Sequence, residues 1–251
     1  GLDKPIHEQY ITYVTGLLKG DLGISLRTKR PVAVEVSNRY ANTAKLTLLA
    51  LAWSTIVGVL LGVWSGRHRS RWQDYTGMTL AVSGISLPSF WVGFMLIMVF
   101  SVNLKWFPTT GADSLKSLVL PSIALGSSIA AIIARFTRSS IIEVLKDDYI
   151  RTARAKGLRE RVVVWKHAFR NAMISVVTVV GLQFGFLLGG SVVTESVFAF
   201  PGLGSLLVES VNYRDYPAIQ SLILIFSLHF VVINLIVDVL YAVLNPEIQL
   251  D

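Results

Sequence analysis

Residues 147–171 read DDYIRTARAKGLRERVVVWKHAFRN, the most polar stretch of an otherwise apolar chain. The stretch holds seven Lys or Arg residues against three acids, with a glycine at Gly157. An uncharged run of membrane length lies close to each side of it. A short basic helical segment held between two membrane spans has the shape of a docking element. The alternative is a basic amphipathic loop that lies on anionic lipid.

The composition is that of a membrane protein. Of the 251 residues, 53% are hydrophobic and 16% are charged, whereas soluble domains carry roughly 25% charged residues. The net charge of +7 does not indicate nucleic-acid binding, because the positive residues lie mostly in short loops beside apolar spans. The chain has no cysteine, which excludes a disulfide framework and a thiolate metal site.

Five uncharged runs are each near or above the roughly 20 residues that a helix needs to cross a bilayer. They cover residues 46–64, 75–102, 117–134, 171–194 and 216–237. The sequence therefore predicts an all-α, polytopic membrane bundle with five spans and a cytoplasmic helix–turn–helix between the third and the fourth. Pro88 lies inside the second run and predicts a kink there, which neighbouring helices can accommodate.

The placement of Lys and Arg predicts the orientation of the bundle. The loops at residues 67–71 and 135–170 hold thirteen of these residues, and the loops on the opposite side hold three, namely Lys105, Lys116 and Arg214. Because basic loops stay in the cytoplasm, residues 147–171 are predicted to be cytoplasmic. The same rule places Gly1 outside and Asp251 inside.

Two regions are predicted along the chain. Residues 1–42 form a small external N-terminal cap, and residues 43–251 form the transmembrane domain, whose cytoplasmic loop covers about residues 139–170. Apolar residues at helical spacing near residues 11–18 predict an amphipathic helix, and Pro31 predicts the start of another at residues 32–40. A poorly ordered tail is the alternative for this region. No apolar signal-peptide segment is visible in it.

Two sets of glycines recur every four residues and predict flat helix faces that approach other helices closely. They are Gly58, Gly62 and Gly66 in the first run, and Gly181, Gly185 and Gly189 in the fourth. We expect ordinary packing within one bundle, with a sliding interface between subunits as the alternative. His229 and Asp238 are expected to be structural, and residues 195–217 are expected to form an external loop with a short helix.

The region around Gly157 resembles the cytoplasmic loop of permease subunits of ATP-binding-cassette importers, whose loose pattern is E-A-A, three residues, G, nine residues, I-x-L-P. Gly157 takes the glycine position, Arg151, Thr152 and Ala153 fall at E-A-A, and residues 167–170 fall at I-x-L-P. The glycine, one alanine and the spacing match, while the glutamate and the proline do not. RTARAKG followed by H-x-x-RNA resembles the variant of the peptide, glutathione and nickel branch. The likeness runs from GLDKP at Gly1 to NPEI at Asn245.

The resemblance implies an inner-membrane permease subunit of a bacterial or archaeal importer, forming half of the path for a dipeptide, an oligopeptide or glutathione. A nickel or metal-chelate importer of the same family is the alternative. The resemblance further implies a heterodimer with a second homologous permease, two ATP-binding subunits and an external solute-binding protein. The chain has no G-x4-GK-[ST] motif, so ATP and Mg are expected on the partner subunits, with no cofactor, metal or catalytic residue here. One more helix is expected before this region.

The residues implied in coupling to the ATPases form one continuous segment. They are Asp148, Tyr149, Arg151, Thr152, Ala153, Arg154, Ala155, Lys156, Gly157 and Leu158. Ala153 and Ala155 are small and Gly157 has no side chain, so a partner surface is expected to approach closely. Arg151, Arg154 and Lys156 are expected to pair with acids on the ATPase.

Two other classes of function are weighed against transport by an ATP-driven importer. A secondary transporter would place coupling-ion ligands at mid-membrane, yet the five runs hold no deep Asp, Glu, Lys or Arg. An intramembrane serine hydrolase would use Ser127 or Ser128 with His229.

Overall fold

The computed structural model describes residues 4–112 and 114–244, with side chains up to residue 239. The helices are α1 (Ile6–Leu18), α2 (Val32–Arg67), α3 (Trp72–Ser86), α4 (Ser89–Leu96), α5 (Leu115–Val144), α6 (Asp148–Ala155), α7 (Glu160–Val162), α8 (Phe169–Val197), α9 (Leu203–Asn212) and α10 (Tyr216–Leu244). Residues Gly1–Asp3 and 245–251, which include part of GLDKP and all of NPEI, lie outside the described residues. In the described part the only extended pairing is an isolated bridge between Ile24 and Pro31.

Two π-helical segments extend these helices. The first, Ile97–Asn103, continues α4, and the second, Val163–Ala168, joins α7 to α8. Residues Glu160–Val197 therefore form one continuous helix of 38 residues. The predicted cytoplasmic helix–turn–helix is α6, a turn at residues 156–159 and the first turns of this long helix.

Four described helices are long and apolar enough to cross a membrane, and a bent pair makes up to five spans. The bent pair is Trp72–Ser86 and Ser89–Asn103, whose axes differ by 99°. The kink predicted at Pro88 is confirmed, and it is a break between two helices rather than a bend within one helix. Leu87 is extended (φ −87°, ψ 124°) because the ring of Pro88 disfavours a helical residue before it. The chain turns there and restarts a helix at Ser89.

The centre of the bundle is the contact between α2 and α5, where the first glycine set lies. A Cβ on Gly62 would come 2.6 Å from the carbonyl oxygen of Ala134, and one on Gly58 would come 2.7 Å from that of Ala130. A Cβ on Gly66 would come 3.1 Å from the carbonyl oxygen of Arg138, a looser but still tight contact. Backbone approach within one chain therefore accounts for this set, as expected.

The second glycine set faces α10. A Cβ on Gly181 would overlap Val237, and one on Gly185 would come 3.1 Å from Phe230. Gly189 differs, because its Cβ would meet nothing within 4 Å. Packing within the chain thus accounts for two of the three glycines.

The N-terminal region contacts the bundle through the turn that follows α1. Helix α1 confirms the helix predicted near residues 11–18. None of its residues is buried. The serine hydroxyl of Ser221 donates to the carbonyl of Leu22, and Val32 is fully buried with Leu203 and Leu222. Helix α2 begins at Val32, as Pro31 predicts, and continues without a break across residues 42 and 43 to Arg67.

Candidate functional site

Helix α6 and the turn after it contain the residues expected to couple to a partner. Asp147 precedes the helix in an extended conformation (φ −63°, ψ 150°), and Asp148 lies in the first turn, where a negative charge is favourable. Gly157 has φ +75°, a left-handed conformation that glycine adopts at little steric cost. The N–H of Gly157 donates to the carbonyl of Arg154 and that of Leu158 to Ala153. Gly157 therefore ends the helix and turns the chain, as expected.

The inner face of α6 is fixed to the rest of the protein by apolar contacts. Ile150 and Ala153 are buried in a cluster with Val163 and Ala168, which belong to the π-helical segment. The expectation that Ala153 leaves room for a partner is therefore wrong, because its methyl group points into the protein. Ala155 is exposed, and a Cβ on Gly157 would meet nothing within 4 Å, so close approach from outside is open there.

The outer face of α6 is charged. Arg151 lies 3.2 Å from Asp148 in an exposed pair, which contributes little to stability. Arg154 makes two hydrogen bonds to Glu160, of 2.8 and 3.2 Å, so this guanidinium already has a partner in its own chain. That hydrogen bonding raises the pKa of Arg154. Thr152, Lys156 and Leu158 are also exposed.

Tyr149 connects α6 to the first turn of α8. Its phenolic oxygen accepts a hydrogen bond of 2.6 Å from the side-chain amide of Asn171. Three residues of α6 therefore contact the continuous helix Glu160–Val197. Tyr149 does so through this bond, and Ile150 and Ala153 through the buried cluster. These contacts join α6 to a helix that is long and apolar enough to span a membrane.

A charged cluster that the sequence analysis missed lies at the end of α2. The Asp74 carboxylate accepts hydrogen bonds from Arg138 at 2.5 and 2.7 Å, from the Ser65 hydroxyl at 2.5 Å and from the Ser70 N–H at 3.0 Å. Asp74 is 3% exposed. The cluster fixes the turn between α2 and α3 against α5, the helix that leads into α6. Asp74 and Arg138 lie 64 positions apart, and no local feature of the sequence pairs them.

A second buried carboxylate lies at the other end of α8. Glu195 is fully buried, one residue beyond the fourth apolar run, and it lies in the last turn of α8 rather than in the external loop expected from residue 195 onward. The Thr43 hydroxyl donates to one carboxylate oxygen at 2.7 Å and accepts from the N–H of Leu203 at 2.8 Å. The N–H of Ser205 donates to the other oxygen at 3.0 Å. The Glu195 cluster thus joins α2, α8 and α9.

Replacing Glu195 with alanine is expected to destabilise the protein by about 2–3 kcal/mol, because the Ser205 N–H and the Thr43 hydroxyl lose their buried acceptor. Glu195→Gln keeps an amide oxygen in place and is expected to cost less than half as much. Thermal unfolding of the purified protein in detergent measures both changes. Equal unfolding temperatures for the alanine variant and the wild type would contradict this role.

A third carboxylate, Asp215, organises the turn after α1. It accepts hydrogen bonds from the Ser25 hydroxyl and from the N–H groups of Leu26, at 3.0 Å, and Arg27. Burial raises the pKa of Asp215, but these hydrogen bonds outweigh it and lower the pKa below its ordinary value. Arg27 and Arg39 also pair with Glu209 at 3.1 and 3.3 Å. Asp215 and Glu209 hold the N-terminal turn against α9.

Of the two ionisable residues of the last span, His229 has hydrogen-bonding partners, as expected of a structural residue, and the structural role of Asp238 stays a prediction. The His229 ring nitrogens lie 2.6 Å from the Tyr40 hydroxyl and 2.7 Å from the Ile225 carbonyl, and Asp238 is exposed. In the described part of the chain no hydrogen bond joins His229 to Ser127, which donates to the carbonyl of Ala124 at 3.0 Å. The geometry therefore gives no support to a serine hydrolase.

Comparison with known proteins identifies the family. Residues 58–250 match the family described as binding-protein-dependent transport system inner membrane component. The glutathione transport system permease proteins GsiC of Escherichia coli (strain K12), Salmonella typhimurium (strain LT2) and Pectobacterium atrosepticum are each 55% identical to this chain over 249 residues. Each alignment covers 99% of this chain and 81% of the relative.

Solved structures show the same fold. The inward-facing MetNI methionine ABC transporter aligns with a TM-score of 0.73 at 18% identity, covering 84% of this chain and 96% of that one. An amino acid ABC transporter with histidines aligns with a TM-score of 0.66 at 16% identity, covering 82% and 92%. The predicted all-α bundle of the type I ABC importer permease kind is confirmed. With the match over residues 58–250, this chain belongs to the family of binding-protein-dependent transport system inner membrane components.

Proposed function

We propose that this chain is a permease subunit that imports glutathione or a closely related small peptide across the inner membrane. The observation that carries the proposal is the 55% identity, over 99% of the chain, to permease proteins named for glutathione transport. The proposed complex contains a second permease, two ATP-binding subunits that hold ATP and Mg, and an external solute-binding protein. This chain supplies part of the path through the membrane.

The segment from Asp148 to Leu158 is proposed to dock on an ATPase. Its exposed side carries Arg151 and Lys156 and ends at Gly157, where nothing obstructs a partner. Its inner side packs on the π-helical segment and, through Tyr149, bonds to the start of α8. Closure of the ATPases would push on α6 and thereby tilt the helix Glu160–Val197. Arg154 contributes through its pair with Glu160, which braces α6 against α7.

Residues 1–42 are proposed to lie outside, as a cap on the end of the bundle opposite α6. Helix α8 has 29 residues and is therefore about 43 Å long, so its two ends lie on opposite sides of a bilayer core of about 30 Å. Asp215 and Glu209 hold the N-terminal turn near the far end, where the Glu195 cluster also joins α9 to α8. This placement puts the cap where a solute-binding protein would approach.

Reconstituted transport tests the proposal. The complex of this chain with its neighbouring permease and ATPases, placed in proteoliposomes with the binding protein, is expected to accumulate radiolabelled glutathione in an ATP-dependent manner. The matched control is the same complex with the phosphate-loop lysine of each ATPase replaced by alanine, which should abolish uptake. An assembled complex that hydrolyses ATP and accumulates no glutathione would contradict the proposed substrate.

A further inference from the structure

A cationic cleft opens beside α6, on the side where the chain enters α8. Its volume is about 670 Å³, and its lining residues are Tyr149, Lys166, His167, Arg170, Asn171 and Ile174. This volume lies within the range of roughly 300–1,000 Å³ typical of small-molecule sites. We call this feature the cationic cleft.

The helix that starts at Glu160 builds most of the cleft. Lys166 and His167 lie in the π-helical segment, and Arg170, Asn171 and Ile174 follow on the first two turns of α8. Side chains three and four residues apart lie on the same face of a helix, so these groups point to one side. Tyr149 closes the cleft from α6 through its 2.6 Å bond to Asn171. Single π-helical turns are common at functional sites.

The charge in the cleft is unbalanced. The lining holds no Asp or Glu, and within residues 4–112 and 114–239 neither Lys166 nor Arg170 forms an ion pair. Arg151 and Arg154 nearby do have acidic partners. Like charges four residues apart on a helix repel, so an anion bound between Lys166 and Arg170 would relieve this repulsion. The Asn171 amide and the Tyr149 hydroxyl add further polar contacts.

We propose that the cationic cleft binds the carboxylate groups of the transported peptide at the inner end of the path, an inference that rests on the proposed function. Arg170 is placed to take a carboxylate through two parallel hydrogen bonds, and Lys166 to act as a point charge on a second carboxylate. Glutathione carries two carboxylates and one ammonium group, so it matches a site with two cations. The concave shape favours a small molecule over an acidic side chain of the ATPase.

Direct binding to the permease–ATPase complex, without the solute-binding protein, tests the inference. The complex in lipid nanodiscs is titrated with radiolabelled glutathione in equilibrium dialysis. The double variant Lys166→Gln, Arg170→Gln is expected to bind at least about tenfold more weakly, because the loss of even one charge-assisted hydrogen bond is worth that much. The double variant Lys166→Arg, Arg170→Lys keeps both charges but loses the two parallel hydrogen bonds at position 170, so its affinity is expected to lie between those of the wild type and the Gln variant.

The matched control is Arg159→Gln, Arg161→Gln, which removes two exposed cations from the same loop outside the cleft. It is expected to bind glutathione within about twofold of the wild type, because neither side chain lines the cleft and exposed charges interact only weakly through water. Glutathione with both carboxyl groups amidated is a second probe. The amidated glutathione is expected to bind the wild-type complex weakly. Its affinity for the cleft variant is expected to be no lower.

Three results would overturn the inference. One is equal affinity of the cleft variant and the control variant for glutathione. Another is loss of the ATPases from the purified cleft variant, which would make the cleft a protein-docking surface. The third is a wild-type complex that binds no glutathione in nanodiscs yet imports it in proteoliposomes, which would leave the proposed function intact. If the proposed function is wrong, the wild-type complex will instead import no glutathione.

Discussion

Replacing Gly62 with alanine is expected to destabilise the membrane bundle by about 2–3 kcal/mol, at the upper end of the usual range for overpacked contacts. The added Cβ would lie 2.6 Å from the carbonyl oxygen of Ala134 and 2.5 Å from the Cβ of Thr137. Neither atom is the flexible end of a side chain. Relief therefore requires that α2 and α5 move apart along their whole contact, because Gly58 and Gly66 fix it one turn away on each side.

Gly189→Ala is the matched control, because this helical glycine also belongs to a set spaced by four residues but has nothing within 4 Å. Alanine has a helix propensity better than glycine by about 1 kcal/mol, so this change is expected to be neutral or stabilising. Thermal unfolding of the single purified chain in detergent compares the two variants. Equal unfolding temperatures for Gly62→Ala and Gly189→Ala would show that the close contact of α2 and α5 does not determine stability.

The membrane helices could be predicted from the sequence because the signal for each is local. A run of about 20 apolar residues is a span wherever it lies in the fold, and Pro31 and Pro88 mark a helix start and a break through their own geometry. The angle at Pro88 could not be predicted. The proline removes one backbone donor, but the 99° bend depends on which neighbours the restarted helix α4 contacts. Those contacts, with α5 and α8, join distant parts of the chain.

The polar clusters escaped prediction for the same reason. Asp74 and Arg138, or Glu195 and Thr43, are ordinary residues in the sequence, and only the folded chain brings each pair together. The inward orientation of Ala153, in contrast, could have been predicted from the sequence. Ile150 and Ala153 are three residues apart and so share one helix face, which the burial of Ile150 turns inward. The conformation of Gly157 was predictable because a left-handed residue after a helix is most often glycine.

Replacing Gly157 with leucine is expected to reduce glutathione import by about tenfold or more while the chain still inserts into the membrane. Gly157 has φ +75°, where an L-residue with a Cβ costs about 1–2 kcal/mol. Its surroundings are open, with nothing within 4 Å of an added Cβ. The leucine would therefore both strain the turn after α6 and project into the space proposed for the ATPase.

Two further variants separate these effects from each other and from general damage. Gly20→Leu is the control, because Gly20 has φ +81° and equally open surroundings but lies in the proposed external cap, so import is expected to be unchanged. Gly157→Asn tolerates the left-handed conformation but adds a side chain. If close approach of the ATPase matters, Gly157→Asn should also impair import. If only the conformation of the turn matters, Gly157→Asn should import as well as the wild type.

Co-purification of the ATPases is measured with Gly157→Leu at low and high salt. A lipid-anchoring loop predicts undiminished ATPase binding, and undiminished binding together with wild-type import would exclude docking at Gly157.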